Sequence, residues 1–405
     1  MNKRLIALLT AAVLLLSGCS ILPTSGTKQF VYNDTGTAGK SSINEKKLLK
    51  KLESSGFIPG ETQQNTVATQ FSITPYSKYG RTLYLLVING NENYLIYPDG
   101  FSTEEITKDF GDDLTLIEQG TKNIYLAATA CGADFRAINA IGNIAFSSIN
   151  AKDWYVQELR DSMNRGSIKF AGKYSAPDYE LLTDSKASLA IESTMILHTP
   201  AVREKLIKLG IPVLTDYSSY ESSAEARMEW VKVYGLITGK WNQAVRFFNE
   251  KYDTIRKVDD MEKTGKSVVY FSLDAENNAV VRTSTDYIPG MIRSAGGEYA
   301  FSGLTSKNKD SHSPTVSITF EEFYKTANDA DVLLVNTTIE GEMKSIADLE
   351  SKNKLFSDFK AVQNGDVYET SADIYQSVDK SDEIITDMHR IFTGKEPEKY
   401  FTRLS

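Results

Sequence analysis

Apolar and polar residues alternate from Gln70 to Tyr97, most plainly through Arg81-Thr82-Leu83-Tyr84-Leu85-Leu86-Val87-Ile88, and Asn89-Gly90-Asn91 separates two such runs. A period of two broken by a turn of that composition predicts a β-hairpin. Beyond it, short apolar strands alternate with helical stretches: Asn123 to Ala128 then Ala133 to Ile141, and Ala187 to Ile191 then Pro200 to Leu209. Pro212 to Leu214 and a long helical run from Ala224 follow. Strands that alternate with helices predict a largely parallel sheet covered on both faces. From Asn242 to Glu262, Ala244, Phe247, Phe248, Tyr252, Ile255 and Val258 recur at spacings of three and four. That spacing predicts one helix of about 20 residues, roughly 30 Å long. The alternation then restarts, with strands at Lys266 to Leu273 and Asp331 to Val335 and helices at Tyr287 to Ala295 and Phe320 to Ala327. The expectation is α/β, a first lobe, one long helix and then a second lobe, with an extra β-hairpin region opening the first lobe.

The N-terminus reads differently. Lys3 and Arg4 precede an apolar run from Leu5 to Leu16, and Leu16-Ser17-Gly18-Cys19 follows. The run is about half the roughly 20 residues a membrane-spanning helix needs, and it ends in small residues, so it reads as a signal peptide. A Cys directly after that small pair resembles the bacterial lipobox, which implies a diacylglycerol on Cys19 after cleavage. Residues 20–42 are rich in Ser, Thr, Gly and Asn without apolar periodicity, as a flexible tether would be. The expected divisions are 1–18 signal peptide, 19–42 tether, 43–240 first lobe with a β-rich extension at 62–120, 241–263 inter-lobe helix and 264–405 second lobe. Cys131 is the other cysteine, which leaves no intramolecular disulfide in a chain lipidated at Cys19. The formal charge is -8 and becomes two units more negative when Lys3 and Arg4 are removed. An acidic chain argues against nucleic acid and against a polybasic membrane clamp.

Templates for catalysis come up empty. His198, His312 and His389 are too far apart in sequence to form a metal-ligand pair, and no P-loop, G-x-S-x-G or H-E-x-x-H occurs. Neither a catalytic residue, a resident metal nor a cofactor is expected. The distinctive positions instead lie in loops after strand ends, where open α/β sheets bind ligands. In the first lobe they are Thr129, then Ser193-Thr194-Met195, then Tyr217 and Tyr220. In the second they are Arg282, Tyr287 and Tyr375. Hydroxyls and aromatic faces suit an adaptable binding surface, and Arg227 and Arg282 can grip an anionic ligand. For each tyrosine the plainer reading is a half-buried structural ring, and Ser193 as a nucleophile lacks a recognisable elbow.

Five further segments carry a resemblance. Gly172-Lys173-Tyr174-Ser175-Ala176-Pro177-Asp178-Tyr179-Glu180-Leu181-Leu182, Leu209-Gly210-Ile211-Pro212-Val213, Glu229-Trp230-Val231-Lys232-Val233-Tyr234-Gly235, Ser294-Ala295-Gly296-Gly297 and Phe359-Lys360-Ala361-Val362-Gln363-Asn364-Gly365-Asp366-Val367-Tyr368 occur in order. Together they resemble the signature run of substrate-binding proteins of iron-siderophore, haem and cobalamin ABC importers (class III periplasmic binding proteins). The resemblance covers about Asn123 to the C-terminus. It implies two Rossmann-like lobes joined by one long rigid helix, a ligand held between the lobes and a glutamate on each lobe that docks onto the permease. Those glutamates fall on Glu180 and Glu321, with Glu322 as a rival for the second. The sequence departs from the family at Ala224-Glu225-Ala226-Arg227-Met228, where relatives carry a Pro-Leu-Gly-Arg run, so ligand identity transfers less readily than fold. The resemblance therefore implies a monomeric lipid-anchored receptor on the extracytoplasmic face of the cell membrane. It would take a metal chelate, first a ferric siderophore and alternatively haem or cobalamin, to an ABC permease and its ATPase. A non-transport lipoprotein, enzymatic or adhesive, is the competing class.

Overall fold

The computed structural model describes residues 45–305, 313–338, 341 and 343–405, so the signal peptide, the tether and Cys19 lie outside the described residues. Within them the chain forms two units, one of residues 45–221 and 225–250, the other of 222–224 and 251–405. Both are α/β, as the alternation predicts.

The first unit opens with α1 (Glu45–Ser54), β1 (Ile58–Pro59), β2 (Phe71–Lys78), β3 (Arg81–Ile88), β4 (Glu92–Tyr97), α2 (Glu104–Phe110) and β5 (Thr115–Glu118). The five strands make one sheet in sequence order. The first three pairings are antiparallel and β4–β5 is parallel, with α2 as the crossover. What reads as one hairpin is therefore a meander. Its additional turn is Tyr79-Gly80, both left-handed at φ 53° and 71°, like the Asn89-Gly90 turn at 50° and 69°. Tyrosine rarely adopts that conformation, which is why composition does not reveal the turn. One face of the sheet has its own apolar core, including Leu48 and Leu52 of α1, Phe57, Leu83, Leu85, Leu95 and Phe110. The extension thus takes in α1 as well as the predicted strands. On the opposite face Phe71 sits edge-on to Trp230, with ring centroids 5.3 Å apart.

The chain continues through β6 (Ile124–Leu126), α3 (Gly132–Ala137), β7 (Ile144–Ser147), α4 (Gln157–Asn164), β8 (Lys169–Phe170), β9 (Gly172–Lys173), β10 (Ala176–Pro177), α5 (Tyr179–Asp184), β11 (Leu189–Ser193), α6 (Pro200–Lys208) and β12 (Val213–Asp216). Strands β12, β11, β6, β7 and β8 lie side by side in that order, all parallel. Strands β6, β11 and β12 are short and almost wholly buried, as in a sheet covered on both faces, while β8 at one edge is exposed. Next come α7 (Ala224–Glu229), α8 (Val231–Ile237) and α9 (Trp241–Asp259). At Gly235 a Cβ would stand 2.5 Å from that of Ala244, so glycine is what lets α8 turn back tightly onto α9. Helix α9 has 19 residues, about 28 Å, and buries Ala244, Phe248, Ile255 and Val258; the division between the units falls within it.

The second unit contains β13 (Ser267–Leu273), β14 (Ala279–Arg282), α10 (Tyr287–Ser294), β15 (Glu298–Tyr299), β16 (Thr315–Ile318), α11 (Phe320–Ala327), β17 (Val332–Val335), α12 (Ile346–Lys352), α13 (Lys360–Asn364), β18 (Val367–Thr370), α14 (Ser381–Phe392) and β19 (Phe401–Arg403). Its sheet runs β16-β14-β13-β17-β18-β19, with β15 also beside β13. Only its centre is parallel: β14 turns back antiparallel on β13, and β19 antiparallel on β18. The connection from Leu273 to Ala279 is too short for a crossover, which forces that reversal. Phe271, Phe323, Phe356 and Phe359 stack and tilt against one another beneath the sheet.

Candidate ligand-binding site

Because β6, β11 and β12 are parallel neighbours, the loops after them emerge at one edge of the first unit's sheet. Thr129, then Ser193, Thr194 and Met195, then Tyr217 and Tyr220 are thereby gathered, and all but Tyr217 are half-buried. Ser193 Oγ accepts from Met195 N at 3.4 Å, and the hydroxyls of Thr194 and Ser219 lie 3.5 Å apart, joining the second and third loops. Tyr217 is buried, and Tyr220 stands edge-on to it at 5.3 Å and 85°. The Tyr217 hydroxyl donates to Glu92 Oε1 at 3.4 Å, a residue of β4 in the extension that the sequence does not single out.

Arg227 is buried on α7, and the residues that follow it hold another part of the extension. Glu229 accepts from the backbone N–H of Thr66, Val67 and Ala68 at 2.7–2.8 Å and from Lys232 Nζ at 2.5 Å. Glu221 accepts from the N–H of Thr69 and Gln70, from the Thr69 hydroxyl and from Trp230 Nε1, at 2.9–3.0 Å. Two buried carboxylates thus satisfy five consecutive backbone donors. Burial alone would raise the Glu229 pKa, but Lys232 and the three N–H groups outweigh it and hold it below the usual carboxylate value. The Glu229-Trp230 pair that helps carry the family resemblance is, in this chain, a fastening for residues 66–70.

Glu192 lies one residue before the second loop and opposite Thr215 across the β11–β12 pair. It is fully buried, and among the described residues neither its carboxyl oxygens nor the Thr215 hydroxyl has a hydrogen-bond partner. Burial pushes its pKa up to about 8, so the carboxyl is neutral at pH 7. Burial, foremost, raises the phenols of Tyr125, Tyr174 and Tyr179, and a negative charge on Glu192 would raise them further.

In the second unit the fold brings together Arg282, at the end of β14, Tyr287, at the start of α10, and Tyr375. Arg282 is buried and donates to the Tyr375 hydroxyl. Its guanidinium lies 5.7 and 5.3 Å from the ring centroids of Tyr270 and Tyr375. Asp286 Oδ2 is 3.6 Å from Arg282 Nη1. Tyr270 and Tyr375 share a hydrogen bond of 2.9 Å. Burial works against the Arg282 cation, but Tyr375, Asp286 and Tyr287 outweigh it and raise the pKa well above the ordinary arginine value. The result is a permanent buried cation walled by aromatic rings, with the half-buried Tyr287 and Tyr375 beside it. Sequence reading misses Tyr270 because it stands in an apolar strand, Val268-Val269-Tyr270-Phe271, like any core ring.

The expected docking glutamates are each on a first helical turn. At Gly172, φ is +80° and a Cβ would meet Ala176 O at 2.5 Å, so only glycine permits the tight β9–β10 hairpin. The hairpin leads to Asp178, which caps α5 by accepting from Leu181 N and leaves Glu180 exposed. In α11, Glu322 closes a capping box with Thr319, while Glu321 is 79 % exposed and pairs with Lys325, at 2.7 Å. Glu322 is therefore used by its own helix.

The sequence profile described as periplasmic binding protein matches residues 140–374, more than half of the chain. An uncharacterized lipoprotein of Methanocaldococcus jannaschii is 23% identical over 363 residues, covering 81% of this chain and 84% of that one. Among solved structures, the periplasmic heme-binding protein HutB of Vibrio cholerae superposes with a TM-score of 0.53 at 16% identity, covering 65% of this chain and 98% of that one. The periplasmic catecholate-siderophore binding protein VctP of Vibrio cholerae superposes with a TM-score of 0.52 at 12% identity, covering 67% and 94%.

Proposed function

The chain belongs to the periplasmic binding protein family, and on that footing we propose that it is a lipid-anchored receptor for an anionic metal chelate, foremost a ferric catecholate siderophore, serving an ABC permease. The observation that carries the ligand class is the Arg282 cluster. A ferric tris-catecholate is a multiply charged anion with aromatic edges, and a buried guanidinium among Tyr270, Tyr287 and Tyr375 offers charge and ring contact together. The loops at Thr129, Ser193-Thr194-Met195 and Tyr217–Tyr220 are rich in hydroxyls and offer hydrogen-bonding groups of their own. The metal arrives already chelated, so the protein needs no ligand cluster of its own. The lipid anchor rests on the Leu16-Ser17-Gly18-Cys19 motif, and the Methanocaldococcus relative is likewise named a lipoprotein.

A thermal-shift panel of ferric catecholate, ferric hydroxamate, haemin and cobalamin tests this reading. A ligand at 100 times its Kd adds about 2.7 kcal/mol, roughly 5–10 °C in Tm for a unit of this size. The catecholate should give that shift, and Arg282→Gln should weaken its binding at least tenfold. A flat panel would sink the ligand class. Docking is tested separately: Glu180→Lys and Glu321→Lys should abolish uptake while leaving chelate affinity unchanged. Parallel loss of both would remove the docking role.

A further inference from the structure

The extension meets the loop after β12 at two places, at Glu221, which holds Thr69 and Gln70, and at Tyr217. The Asn89-Gly90 turn delivers Glu92 and Tyr94 to the open edge of β12, where the Tyr94 hydroxyl accepts from the backbone N–H of Thr215 at 3.4 Å. Tyr94 in turn donates to Glu92 Oε2, Arg203 of α6 approaches the same oxygen at 3.8 Å, and Tyr217 takes Oε1. Glu92 is thus the shared acceptor of a node drawn from the extension, α6 and the loop after β12. Both of its oxygens are engaged and its side chain is only 14% exposed. Burial, foremost, and the nearby Glu92 charge drive the Tyr217 phenol far above its usual pKa. Tyr217 therefore stays a neutral donor to Glu92. It also holds Tyr220, whose half-buried ring stands at right angles to it.

We propose that the extension is part of the recognition surface, with Glu92 as a positioning residue that fixes Tyr217 and, through it, the Tyr220 ring offered to ligand. The role deepens the receptor reading and rests on it. It differs from the fastening that Glu221 and Glu229 provide through backbone N–H groups, because it acts on the rings of the strand-end loop.

A double-mutant cycle with a ferric tris-catecholate complex as probe tests it, read as Kd on the full mature chain. Glu92→Ala and Tyr217→Phe should each weaken binding about tenfold, and the double variant should be no weaker than either. Glu92→Gln keeps an oxygen that accepts from Tyr217 and should recover most of the affinity. Additive losses in the double variant would overturn the proposal, as would a Glu92→Ala loss that Glu92→Gln does not rescue. Equal affinity in wild type and Glu92→Ala would overturn it too, while leaving the receptor reading intact. Tyr217→Phe keeps the ring's packing, so the cycle retains one arm that folds even where Glu92→Ala does not. A wild type that binds none of the thermal-shift panel would instead remove the receptor reading, and this role with it.

Discussion

Glu229 and Glu192 are fully buried glutamates of the same unit that lead opposite lives. Glu229 is surrounded by donors, three backbone N–H groups and an ammonium, and stays ionised. Glu192 has none and stays protonated. The contrast shows that burial does not set the charge of a carboxyl; the donors left pointing at it do. Residues 66–70 reach α7 with all five N–H groups unspent, whereas the backbone around Glu192 is fully committed to the β6–β11–β12 ladder.

The sharpest way to break the comparison is Glu229→Ala. It strands Lys232 and three N–H groups in a buried place, and should cost about 3–5 kcal/mol in denaturant unfolding. A loss under about 1 kcal/mol would mean that water replaces the clamp. Next is Glu192→Gln, which removes the titration. The folded pKa of Glu192 is raised, to about 8 from the ordinary 4.5, so the folded state binds the extra proton. Its contribution is complete below pH 4.5 and drains away as pH rises to 8. Glu192→Gln and wild type should therefore match near pH 4, and the variant should lead by about 3 kcal/mol at pH 7. Parallel stability curves across that range would show the carboxyl to be partnered. The smallest effect is expected of Thr215→Val. With no partner for the hydroxyl, exchanging it for a methyl should be neutral or stabilising by up to about 1 kcal/mol. A clear loss would reveal a hydrogen bond.

Elements whose cause is local were legible. The strand–helix alternation, the Asn89-Gly90 turn and the stripe of α9 all rest on residues a few positions apart, and the structure contains each. The stripe overshoots, since α9 ends at Asp259 rather than Glu262. Arg282, Tyr287 and Tyr375 could be proposed from strand-end logic, and the fold brings them together. Other features depend on partners remote in sequence. Nothing near Glu92 announces Tyr217, 125 residues away, and nothing near Glu221 or Glu229 announces a loop more than 150 residues earlier. Glu229 drew notice only as a letter in a motif. Likewise Glu321 and Glu322 are neighbours in sequence, and the fold gives them different partners, Lys325 for the first and the capping box with Thr319 for the second.

The span of the clamp, 151 to 163 residues, has a consequence for the order in which the chain matures. A chain emerges N-terminus first, and the extension's own core, from Leu48 to Leu114, is complete long before Glu221 and Glu229 follow. Collapse of the extension and its fastening are therefore separate kinetic events, the second slowed by closing a loop of that length. In the interval residues 66–70 present a run of bare N–H groups, a docking edge open to any carboxylate or strand that arrives first.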